Sequence, residues 1–328
     1  MPPAAWIAIG VLAALMIFGI LPVLAMSSVL YSILFVRTSK KKWNRECSIP
    51  DDEEYKRMFD IGLAWGEKYK DKITPVEIRS GKFRLCGEYF DFGYDKAAII
   101  IPGRMEALRY SYYFAEPYRA AGYNILCIDN RSHGNSDGRF ASLGFKEYKD
   151  ILNWGAFLHG TYGIKEIVLH GICIGSSVAL FALTSPDCPD YMRAMTADGM
   201  YVTFYESFKN HMTLDHHPNF PLTYGVMFLL WFCAGAHPMT DGPIKRIGNM
   251  KKPILFIHCK EDVFSLPEKA QVLYDKCQSE KKLVWFEHGA HSRVRINDPE
   301  GYDKAIVDFY TDLAKKEAFT AENAVANT

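Results

Sequence analysis

The chain has 328 residues, with 38 basic and 38 acidic side chains and a formal net charge of zero. That balance excludes the basic excess of a nucleic-acid binder, while 49% apolar and 23% charged residues exclude wholesale disorder. Eight cysteines, with no C-x-x-C pair and no Cys/His zinc spacing, read as free thiols suited to a reducing compartment rather than as a disulfide framework.

Residues 1–36 carry no charged side chain, and 4–36 are apolar apart from Ser27, Ser28 and Ser32. A membrane-spanning helix needs about 20 such residues, so 1–36 reads as a transmembrane anchor with Pro22 as a kink. A cleaved signal peptide would show a basic n-region and a short apolar core, and neither is present. Arg37, Lys40, Lys41, Lys42 and Arg45 follow directly. The positive-inside bias then predicts a single-pass protein of the cell membrane with everything beyond Val36 in the cytoplasm. Trp6, Tyr31 and Trp43 stand where interfacial anchors would. Residues 37–72 read as a basic, partly helical juxtamembrane segment.

From residue 73 onward, strand and helix signals alternate. Residues 73–91 read as two strands around Ser80-Gly81, and 96–102 as a buried strand. A helix over 107–121 precedes a strand over 123–129. A helix over 145–158, a strand over 166–171 and a helix over 174–183 come next. Strands at 193–198, 253–258 and 283–286 and helices at 267–277 and 301–315 complete the pattern. This rhythm predicts an α/β domain over 73–317, with a mostly parallel central sheet covered by helices on both faces. Residues of about 202–250 break it and read as a helical cap insert, and 318–328 as a frayed, disordered tail.

The chemistry concentrates at the ends of three strands. Gly171-Ile172-Cys173-Ile174-Gly175 leaves one strand and enters a helix, with the spacing of a nucleophile elbow but cysteine in place of serine. The two glycines clear space for a tight turn, and the helix N-terminus favours a thiolate; a buried structural cysteine is the plainer alternative. Asp262 follows the strand at 253–258, and His291 follows the strand at 283–286. The order nucleophile, acid, base is the one this topology uses. Asp262 would orient His291, which would take the thiol proton; Glu261 and His288 remain as alternative acid and base. The backbone N–H groups of Ile174 and Arg104 are the candidate oxyanion hole. The Arg104 side chain is left for either a surface salt bridge or an anionic substrate group.

From these residues the chain resembles the α/β-hydrolase superfamily, and within it the membrane-anchored bacterial hydrolases of the esterase and lipase type. The resemblance spans roughly residues 50–316: Pro102-Gly103, the Asp129–Gly138 loop of form D-x-R-x-H-G-x-S-x-G, the elbow, Asp262 and His291. It implies the α/β-hydrolase fold with an acyl-enzyme mechanism through Cys173, His291 and Asp262. It also implies a supporting rather than catalytic role for His133. Cysteine at the elbow, and proline where the family has histidine, are departures. An acyltransferase of the same fold, or a catalytically weak binding protein, are the alternative readings. The apolar helix over 224–234 is expected to roof the pocket, with Met227 and Trp231 contacting an apolar acyl or lipid substrate. No motif for a cofactor is seen, and the cluster His211, Asp215, His216 and His217 reads as a polar loop rather than a metal site.

Overall fold

The computed structural model describes residues 2–326. Its first element is helix α1, Pro3–Phe35, of 33 residues and mean hydropathy 2.7. At 1.5 Å per residue it is about 50 Å long, which exceeds the roughly 30 Å of a bilayer core. It is the one helix among the described residues long and apolar enough to cross a membrane. Ser27, Tyr31 and Phe35, spaced by four residues on one face, are buried against the rest of the chain. Phe35 packs edge-on to Phe204 at 5.5 Å.

The basic run after α1 is folded into the domain rather than left as a collar. The Lys42 ammonium donates to the last carbonyls of α1, at Ser32 (2.9 Å), Ile33 (2.6 Å) and Val36 (2.6 Å), satisfying orphan acceptors at a helix end. Arg37 donates to the carbonyls of Ser136 (3.0 Å) and Gly134 (2.5 Å). Arg45 pairs with Glu88 at 2.7 Å and with the buried Asp129 at 2.9 Å. Lys40 and Lys41 stay exposed. Trp43 and Tyr31, expected at a membrane interface, are buried instead, Trp43 stacked on His133 at 4.7 Å.

Helix α2, Glu53–Lys68, starts at Asp52, whose carboxylate caps the Tyr55 N–H at 3.0 Å, with Glu53 and Glu54 in the first turn and Lys68 in the last. The strands are β1 Ile73–Ser80, β2 Phe83–Phe90, β3 Lys96–Ile101, β4 Asn124–Ile128, β5 Glu166–Ile172, β6 Met192–Asp198, β7 Ile254–Cys259 and β8 Lys281–Phe286. They form one sheet in the order β1-β2-β4-β3-β5-β6-β7-β8. β2 is antiparallel to both of its neighbours, and all other pairings are parallel. β3 is the middle of the core: Ala97 to Ile101 have no exposed surface. Burial of each such isoleucine contributes about 1.5–3 kcal/mol. A run this apolar on both faces is what a sheet covered on two sides requires.

Helices α3 (Tyr148–Tyr162) and α4 (Ile174–Leu183) lie beside the sheet. The single helix expected over 107–121 is broken into Leu108–Ser111, a tight turn at Tyr112–Phe114, and Glu116–Ala120. Pro117 enters at the start of the last piece, where its missing N–H costs nothing. The insert contains α5 (Phe204–Leu214) and α6 (Leu222–Ala234). α6 lies against α1: Gly225 has no Cβ to collide with Ser27, whose hydroxyl lies 3.4 Å from the Leu222 carbonyl. Helix α7 spans Pro267–Lys276, and α8 runs Pro299–Ala326, through most of the stretch read as a frayed tail. That stretch holds four alanines, the best helix formers; residues 327 and 328 lie outside the described range.

Candidate active site

β5, β7 and β8 deliver the three residues that the sequence singled out to one edge of the sheet. Cys173 stands between β5 and α4 with φ 53° and ψ −112°, a conformation that L-residues adopt rarely and at a cost of about 1–3 kcal/mol. The glycines on either side make it possible. A Cβ on Gly171 would run into the Gly175 carbonyl and the Ser176 backbone, and one on Gly175 into the Ile101 carbonyl. These neighbours are backbone atoms, which cannot rotate away. Gly175→Ala is therefore expected to lose about 3 kcal/mol of stability by denaturant titration. Gly160→Ala, where a Cβ meets open space within α3, is expected to gain up to about 1 kcal/mol. The turn is tied down by the Cys173 N–H, which donates to the Asp198 carbonyl at 2.8 Å.

Cys173 and His291 line the same cavity, near enough for the cysteine to act on the histidine's proton affinity. His291 Nδ1 lies 2.7 Å from the buried Asp262 carboxylate. The other Asp262 oxygen accepts the N–H groups of Phe264 (2.9 Å) and Ser265 (2.8 Å). Burial alone would lower the His291 pKa, but the charges of Cys173 and Asp262 and the hydrogen bond to Asp262 raise it well above the usual range. Burial would raise the Asp262 pKa, yet the His291 charge and hydrogen bond hold it below the ordinary carboxylate value. Glu261, the alternative acid, instead contacts the exposed His288 at 2.9 Å. Neither is among the residues lining the cavity at Cys173.

That cavity, of about 270 Å³, is lined by Cys173, His291, Arg104, Glu106, Tyr55, Phe264 and neighbours. Ile174 is the first residue of α4, so its N–H has no acceptor within the helix. The Gly103 N–H is taken by Glu106 at 2.9 Å, and Arg104 follows it on the cavity wall. A small separate recess is lined by Arg104, Ile174 and His133. Asn130 ties the Asp129–Gly138 loop to this wall by donating to the Pro102 carbonyl at 3.1 Å. His133 lies in the floor of that loop with Nδ1 3.0 Å from the Arg131 carbonyl, and burial lowers its pKa to about 4.

Two expectations fail on geometry. Met227 is buried and Trp231 is half exposed, and neither lines the cavity. α6 turns its inner face to α1 and the core, and leaves Phe228, Trp231 and Phe232 exposed. Of the polar cluster, His211 belongs to α5 rather than to a loop, lines the cavity and stacks on Phe264 at 3.9 Å. Burial, with the charges of Arg104 and His291, lowers its pKa to about 4, so it is neutral at pH 7.

Sequence reasoning missed Glu106, Tyr55 and Asp198. Burial pushes Glu106 up to about 7, against the pull of the Gly103 N–H and the Tyr55 hydroxyl. Burial likewise pushes Asp198, at the end of β6, up to about 6, although it accepts the Tyr302 hydroxyl at 2.6 Å. A carboxylate three residues after a Pro-Gly turn is a weak signal. Tyr55 had none, because its reach into the site depends on how α2 docks.

A thiol on a strained turn, a histidine on the same cavity and a buried carboxylate bonded to that histidine can activate a nucleophile and return its proton. No protein-family model matches the chain. Over 211 residues it is 26% identical to the uncharacterized protein YqkD of Bacillus subtilis (strain 168), covering 64% of this chain and 68% of that one. It superposes on an esterase of Pyrococcus furiosus with a TM-score of 0.64 at 22% identity, covering 75% of this chain and 93% of that one. The α/β hydrolase GrgF of a Penicillium species gives 0.57 at 14% identity, covering 73% and 98%. A serine hydrolase of Cycloclasticus zankles gives 0.54 at 16% identity, covering 74% and 99%. The chain thus has the α/β-hydrolase fold, with a helical insert and an apolar N-terminal helix.

Proposed function

We propose that the chain is a membrane-anchored acyl hydrolase that cleaves small-molecule esters or thioesters through Cys173, His291 and Asp262. The observation that carries this reading is the pairing of His291 with the buried Asp262 at 2.7 Å on the cavity that also holds Cys173 at its strained turn. Sulfur attacks the acyl carbonyl as its proton passes to His291. The oxyanion is held by the N–H groups of Ile174 and Arg104. The tetrahedral intermediate collapses to a thioester, and His291 gives its proton to the departing alcohol or thiol. A water molecule, deprotonated by His291, then attacks the thioester, releasing the acid and restoring the thiol. The test is steady-state hydrolysis of p-nitrophenyl esters and the matching thioesters. Saturable turnover that stops when Cys173 is alkylated supports the reading; a purified, folded chain that turns over none of them contradicts it.

The anchor is supported by the length and apolarity of α1 and by continuity with α6. Phe228, Trp231 and Phe232 expose 47%, 50% and 72% of their surface on the outer side of α6, beside a helix whose Met26, Val29 and Ile33 are also exposed. Such a patch fits an interface better than water. The full-length chain is expected to stay with the membrane pellet through alkaline carbonate washing. Release into the supernatant would sink the anchor. The basic flank supports a cytoplasmic domain, and protease added outside intact cells is then expected to leave it uncut.

A further inference from the structure

We infer that the Arg104 side chain makes this site selective for acyl groups that themselves carry an anion, a carboxylate above all. The inference rests on the hydrolase reading of Cys173 and deepens it. Arg104 lines the cavity that holds Cys173 and His291. Its Nη1 is buried and meets no hydrogen-bond acceptor among the described residues. The carboxylate closest at hand in the cavity does not serve it: Glu106 instead accepts the Gly103 N–H at 2.9 Å and the Tyr55 hydroxyl at 3.3 Å. Arg293, the other guanidinium on this wall, is already paired with Asp52 at 2.8 Å. Arg104 is thus half-buried, with one guanidinium nitrogen taken out of water and lacking an acceptor, an arrangement that is costly unless a ligand completes it.

Arg104 shares the cavity wall with Cys173 and Glu106, so an anion on an acyl chain bound there would meet the buried guanidinium nitrogen that has no acceptor. Arg104 also lines, with Ile174 and Val178, a small recess that His291 does not line, and the acyl chain would lie along that wall with His291 facing the leaving group. The planar guanidinium fork fits a carboxylate two-pronged, which an ammonium cannot do. Glu106 beside it would reject the same acyl chain if the arginine were neutralised.

The test compares mono-4-nitrophenyl glutarate with 4-nitrophenyl valerate, equal in acyl length and leaving group and differing in the terminal carboxylate. The wild type is expected to prefer the glutarate in kcat/KM by about tenfold or more, as a charge-assisted bidentate contact would give. In Arg104→Gln that ratio should fall below one, chiefly through KM, and Arg104→Lys should restore only part of it. A wild-type ratio of one or less, or an unchanged ratio in Arg104→Gln, overturns the inference. A second readout needs no turnover: free glutarate should slow alkylation of Cys173 by iodoacetamide in the wild type and not in Arg104→Gln. Protection without hydrolysis of any ester would keep the anion site and discard the hydrolase reading. Hydrolysis without preference and without protection would discard the anion site alone.

Discussion

Cys173→Ala lowers kcat/KM on every hydrolysed ester by at least about a thousandfold, the scale on which removing an activated nucleophile acts. The fold survives, because alanine fits wherever cysteine does and the contacts of α4 do not depend on sulfur. Stability moves the other way at the same position. Cys173 is held at φ 53°, where glycine is unstrained, so Cys173→Gly is expected to be more stable than wild type by about 1 kcal/mol while equally inactive. Cys173→Ser keeps a nucleophile whose proton is held far more tightly, and its residual rate should depend wholly on His291. Chemical denaturation with ester hydrolysis on the same preparations checks all three. Full activity in the alanine variant would remove Cys173 from the chemistry.

Asp262→Asn has the second large effect. The carboxylate is buried, accepts from His291 at 2.7 Å and stabilises its protonated form. Without that charge kcat should fall on the order of a hundredfold or more. The pH profile separates this from general damage. The His291 pKa stands well above its ordinary value although burial opposes this, because Cys173 and Asp262 hold the proton. Because His291 must be neutral to take the thiol proton, the acid limb of kcat/KM lies above the ordinary histidine range in wild type and moves to lower pH in Asp262→Asn. Stability follows the same linkage with opposite signs for the two groups. His291, raised on folding, contributes stability that is complete below its unfolded pKa and is lost as pH rises through the folded value. Asp262, lowered on folding, contributes stability that is present above its unfolded pKa and is lost as pH falls through the folded one. The wild type should thus lose more stability on acidification than Asp262→Asn does.

The elements that carry chemistry were legible because local sequence rules and the fold agree there. Gly171 and Gly175 are demanded by backbone clashes, and a strand that meets a helix through such a turn reads the same in one dimension as in three. Asp262 and His291 were readable from the ends of two apolar strands, β7 and β8. What failed were questions of which face points where. α6 is apolar nearly all round, so periodicity gave no direction, and Met227 and Trp231 were placed toward a pocket they do not touch. The pair that orients α6, Ser27 against Gly225, lies 198 residues apart, with only small size to mark it. Tyr55 reaches the site through the docking of α2, which no local pattern encodes, and Glu106 reaches it from the loop after β3. Arg45 and Lys42 looked like a membrane collar because a basic run beside an apolar helix is the usual sign of one. Their partners, Asp129 and the carbonyls that end α1, become neighbours only after folding.

The central claim is that Cys173 becomes acylated and that His291 then drives water onto the thioester. Intact-protein mass spectrometry of full-length chain quenched in acid during turnover of 4-nitrophenyl butyrate tests it directly, with peptide mapping to locate the adduct. The expected result is a butyryl adduct on the peptide holding Cys173, released by neutral hydroxylamine, and accumulating in His291→Gln after slow acylation because deacylation lacks its base. Turnover with no acyl adduct on Cys173 in either protein, or an adduct on another residue that forms and decays at the turnover rate, would contradict it.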